Sequence, residues 1–80
     1  MADLRKQFRV ETSAMAEIIP SFGPPIPCRL IDLSLDGARI NVISVFGIPD
    51  DFDVKFIATG ETLSARVVWR RPNQIGLTFV

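Results

Sequence analysis

From Ala14 onward the apolar residues come in short runs that mostly alternate with polar ones, and turn signals close each run at intervals of roughly ten residues. Ala14 to Ile19 is the first predicted strand. The segment Pro20-Ser21-Phe22-Gly23-Pro24-Pro25 must be a loop, because its prolines have no amide to donate to a ladder. A second strand runs from Ile26 to Ser34, and Asp36-Gly37 closes it as a hairpin in which Gly37 is expected to supply a positive φ. Ala38 to Val42 alternates cleanly as the third strand and should pair with the second. Gly47-Ile48-Pro49-Asp50-Asp51 turns the chain into a fourth strand, where Phe52, Val54 and Phe56 share one face. Thr59-Gly60-Glu61 turns it back. Leu63, Ala65, Val67 and Trp69 alternate with Ser64, Arg66, Val68 and Arg70 in a fifth strand. Ile75, Leu77 and Phe79 mark a sixth after Pro72-Asn73-Gln74.

This pattern predicts an all-β protein, a six-stranded antiparallel β-barrel. Closure removes the rows of unpaired backbone groups that so many short strands would expose in an open sheet. One strand breaks phase: Cys28 and Leu30 fall on one face of the second strand, Ile31 and Leu33 on the other. A bulge, or a strand end leaving the barrel, would reconcile them. The periodicity also sends Trp69 inward with Phe52 and Phe56. That counts against a nucleic-acid-binding barrel of the OB or SH3-like kind, which stacks bases on exposed aromatics interleaved with basic residues.

Eighty residues allow a single domain over 1–80, here a flexible basic arm over 1–10 followed by the barrel over 14–80. A net charge of zero leaves no footprint for long nucleic acid, whose binding rests on many cationic contacts to phosphate. The local exception is the arm, where Arg5, Lys6 and Arg9 outnumber Asp3. Cys28 is the only cysteine, so no internal disulfide can form and a cytoplasmic location is the default. Arg9, Glu11, Thr12 and Ser13 interrupt any signal-peptide run, and no later stretch reaches membrane-spanning length, so no membrane insertion is expected.

Candidate chemistry is sparse. The chain has no His and no Tyr, its one Cys has no His to activate it, and no glycine-rich loop cradles a triphosphate, so no catalytic residue is assigned. Asp50, Asp51 and Asp53 lack the glycine and terminal Glu of a calcium loop, and no metal ligand is assigned either.

Two motifs remain. Arg5-Lys6-Gln7-Phe8-Arg9 has the spacing RxxxR, and Asp32-Leu33-Ser34-Leu35-Asp36-Gly37 has the spacing DxSxxG. Neither discriminates alone: Arg66 to Arg70 repeats RxxxR on what reads as one solvated strand face, and an Asp-Gly turn whose Asp and Ser satisfy local donors would look like the second. Their order, with Val67-Val68-Trp69 and Ile75-Gly76-Leu77-Thr78-Phe79 after them, resembles the PilZ family over nearly the whole chain.

That resemblance implies a PilZ-like split barrel and a bacterial receptor or adaptor for cyclic di-GMP, needing no cofactor. Its ligand residues would be Arg5, Arg9, Asp32, Ser34 and Gly37, with Leu4, Lys6 and Arg39 as secondary contacts. The chemistry is consistent, since a guanidinium can bond phosphate bidentately, pair with guanine O6 and N7, or stack on the base, and a carboxylate can accept from the guanine edge. Gly37 would leave room beside the ligand. Leu4 stands where family members that hold an intercalated ligand pair carry arginine, which implies one messenger per site. The arm is expected to order on the ligand. With no room after Val80 for the C-terminal helix of many members, output would pass through an unidentified protein effector. The rival reading is a PilZ-like interaction module that binds a protein and no nucleotide.

Overall fold

The computed structural model describes residues 10–11 and 14–80, and among these every regular element is a β-strand. The strands are β1 (Val10–Glu11), β2 (Met15–Ile19), β3 (Ile26–Leu33), β4 (Gly37–Asn41), β5 (Asp51–Phe56), β6 (Thr62–Arg71) and β7 (Gln74–Phe79). Strands β2 to β7 are the six expected from alternation. They pair antiparallel in the order β2-β5-β6-β7-β4-β3, and β3 returns to β2, which closes the barrel. The added strand β1 lies beside β3 beyond the end of β2, with Val10 opposite Leu33 and Glu11 opposite Asp32. The arm expected over 1–10 therefore loses its last residue to the sheet; its remainder lies outside the described residues.

Alternation fills the interior. Ile18, Val54, Ile40 and Ile75 have no exposed surface, and Phe52, Leu30, Ala65 and Leu77 pack around them. Each fully buried side chain of this size stabilises the fold by roughly 1.5–3 kcal/mol.

Two strands depart from simple alternation, and the physical cause is the same. In β3, Leu30 pairs with Ile40 but Asp32 pairs with Arg39, so Ile31 is an extra residue; the broken phase of this strand is a bulge. In β6, Val67 pairs with Leu77 but Trp69 pairs with Gly76, so Val68 is extra. Each bulge reverses the phase of the residues beyond it. Directly opposed residues share a face. Asp32 and Trp69 thus leave the face of Leu30 and Val67 and join the outer wall. The inward placement of Trp69 read from periodicity is corrected by this bulge.

Candidate ligand-binding site

Registers place four residues in one row on the outer wall. Asp32 on β3 faces Arg39 on β4, Arg39 faces Gly76 on β7, and Gly76 faces Trp69 on β6. Neighbours on either side of Arg39, Ala38 and Ile40, point into the core, which is why Arg39 points out. The row floors an open cavity of about 460 Å³, with Ala38, Val68 and Leu77 completing its lining.

Asp32 is 1% exposed, and its Oδ2 accepts from Arg39 Nε at 3.1 Å and Nη2 at 2.7 Å. Burying a carboxylate this deeply is tolerable because a charged donor meets it. The Arg39 side chain keeps 39% of its surface, so the guanidinium stands in front and the carboxylate behind it. The motif spacing makes Asp32 the surface group and Arg39 an accessory; the burial reverses that order.

Ser34 is nearly buried and faces its own turn. Its hydroxyl lies 3.1 Å from Asp36 Oδ1 and 3.2 Å from the Gly37 carbonyl, and its amide donates to the same carbonyl at 2.9 Å. The Asp36 carbonyl accepts from the Phe79 amide at 2.9 Å and the Thr78 hydroxyl at 3.1 Å, which fastens the turn to β7. Gly37 does not have the positive φ expected of it; that conformation belongs to Gly23, Gly47 and Gly60. Instead, a Cβ at Gly37 would fall on the Leu77 carbonyl oxygen. The room it leaves is taken by backbone.

The same logic applies at Gly76, where a Cβ would collide with the Trp69 indole. The missing side chain lets the half-buried indole lie close against β7, and the Arg71 guanidinium carbon stands 5.0 Å from the ring centroid. Trp69 is the member of this row that motif reading missed. Its pairing partner Gly76, a lone glycine inside a strand, is the signal that could have found it, since such a glycine marks close approach.

The second RxxxR resolves differently. Arg66 Nε donates to Asp51 Oδ1 at 2.8 Å, an interaction that raises the Arg66 pKa further. Arg70 bonds Asp50 Oδ1 at 2.6 Å and the Ile48 carbonyl at 2.7 Å. Arg66 pairs with Thr78 and Arg70 with the buried Ile75, so the Val68 bulge puts them on opposite faces, not on the one face expected. Asp53, the third acid of that run, accepts from the Ser64 hydroxyl at 3.1 Å. The acidic run is thus engaged by cross-strand partners. Among the described residues no group of His, Cys, Asp and Glu could hold a metal ion, and no helix is long and apolar enough to cross a membrane.

The structure therefore joins Asp32 and Arg39 directly, sets Ser34 and Gly37 in the adjoining turn, and adds Trp69. Arg5 and Arg9, with Leu4 and Lys6, lie outside the described residues. The strands thus form a closed antiparallel barrel with a filled interior and a polar and aromatic row on its outer wall. The chain belongs to the PilZ domain family, whose pattern it matches over residues 3–80. That family comprises cyclic di-GMP receptors and adaptors, binding modules rather than enzymes. Among curated proteins, none matches the chain.

Proposed function

We propose that this domain binds cyclic di-GMP against the outer wall and passes the signal to a protein effector. The observation that carries the reading is the row Asp32, Arg39, Gly76 and Trp69 beneath one open cavity. The ligand has two phosphates and two guanines. Arg39, steadied by Asp32, offers a planar fork for phosphate or for guanine O6 and N7, and the indole offers a stacking face. Arg5 and Arg9 supply the remaining guanidinium groups. What supports their inclusion is β1: it begins one residue after Arg9, and its Glu11 stands opposite Asp32 at the head of the row. Ser34 and Gly37 serve by holding the turn against β7. Ordering of the arm over the ligand is the change that the effector, in the cytoplasm of a bacterium, would read.

A second reading, an interaction module without nucleotide, draws on Phe22, Ile43 and Phe46, which are 92%, 96% and 94% exposed. Calorimetric titration with cyclic di-GMP separates the two. The wild type should give binding heat, and Arg9→Ala, Arg39→Lys and Trp69→Ala should each weaken it roughly tenfold or more, the value of one good bidentate or stacking contact. Arg39→Lys keeps a cation beside Asp32 and loses only the planar fork. Absence of heat and of amide shift changes at millimolar ligand would overturn the cyclic di-GMP reading and favour the interaction module.

A further inference from the structure

We infer that Arg71 sets the affinity of this site by occupying the Trp69 indole in the ligand-free protein, as an internal competitor for the surface on which a base would stack. The inference rests on the reading of the row as a guanine site.

Its ground is the geometry at the end of β6. Arg71 lies two residues after Trp69, beyond the bulge, so both side chains leave the same face of the strand. The guanidinium stands over the ring at 5.0 Å from the centroid. Neighbouring arginines of the strand are held by acids, Arg66 by Asp51 and Arg70 by Asp50. Arg71 makes no ion pair among the described residues and is exposed, so little beyond the indole holds it in place.

A guanidinium is flat, weakly hydrated and disposed to stack on aromatic faces. Guanine contains the same nitrogen–carbon–nitrogen unit within a flat ring, so the two compete for one π surface. A base that stacks on Trp69 must first displace Arg71, and the lost cation–π contact is subtracted from the binding free energy.

The sign of one substitution decides the matter. Cyclic di-GMP is a dianion, so removal of a cation near its site should weaken binding if charge alone acts. Removal of an internal competitor should tighten it. Arg71→Ala is expected to bind cyclic di-GMP about two- to fivefold more tightly, which is the worth of one exposed cation–π contact. Arg66→Ala, which deletes the same charge from the same strand away from the indole, should bind as the wild type does or slightly more weakly.

Calorimetry gives the affinities. Trp69 is the only tryptophan, so its emission reads the indole directly, and Arg71→Ala should shift that emission before any ligand is added. If the wild type binds while Arg71→Ala binds equally or more weakly, Arg71 is not a competitor and the inference is overturned alone. If the wild type itself gives no heat and no quenching, the cyclic di-GMP reading has failed and the inference falls with it.

Discussion

Gly37 and Cys28 show how a residue's neighbours decide what its chemistry means. A glycine beside an aspartate reads as a turn former, yet Gly37 is required by the approach of β7, whose Leu77 carbonyl fills the space of a Cβ. Gly37→Ala should therefore cost about 1–3 kcal/mol through backbone displacement, seen as a lowered midpoint in urea. At Gly60, φ is +76° but no atom lies within 4 Å of the added Cβ, so Gly60→Ala suffers only backbone strain. Cys28 lies in the core, where burial, aided by the charge of Glu17, pushes its thiol from 9.0 up to about 11. The unfolded chain releases this proton at lower pH than the folded protein, so stability is full below about pH 9 and falls as pH rises towards 11. Thermal melts across that window should show a steeper alkaline loss for the wild type than for Cys28→Ala. A parallel slope in the two proteins would contradict it.

Among the elements, the bulged strands matter most for the site. If Ile31 and Val68 were paired in register instead of bulged out, strict alternation from Leu30 and Val67 would give them the outward positions and turn Asp32 and Trp69 inward. The bulge at Val68 lets Val67 stay opposite Leu77 while Trp69 takes the place opposite Gly76. Deleting Val68 should leave those two pairs intact and give a cooperatively melting barrel that is weaker by about 1–3 kcal/mol, the range of a local disruption. Deleting Ser64, in the regular stretch of the same strand, should turn one half of β6 inside out and prevent folding. Circular dichroism melts and amide dispersion distinguish these outcomes; equal damage from both deletions would refute the argument. This is also where sequence reading erred. Val68 is a good strand former, and nothing in a run of Val-Val-Trp reveals which residue the partner strand omits.

For the whole molecule, closure assembles the site. Asp32 and Arg39 come from a hairpin, but Gly76 and Trp69 arrive only because β7 crosses back to pair with β4. The turn that carries Ser34 is tied to the last strand through the Asp36 carbonyl, so the motif region and β7 must move together. The exposed Phe22 and Phe46 belong to the β2–β3 and β4–β5 connections, at the end of the barrel opposite to that turn.

Local patterning was enough to specify the six strands, their antiparallel hairpins, the apolar set that fills the barrel and the motif that contains Asp32, Ser34 and Gly37. Period-two alternation and turn residues are properties of neighbouring positions, so they can be read along the chain. Four features came instead from packing in three dimensions: Asp32 stands behind Arg39, Gly37 serves a close approach, Arg66 and Arg70 face apart, and Trp69 lies on the wall. The first depends on the bulge at Ile31 within the β3–β4 hairpin, the second on the approach of β7, and the last two on the pairing of β6 with β7, where one unpaired residue reverses the side chains after it.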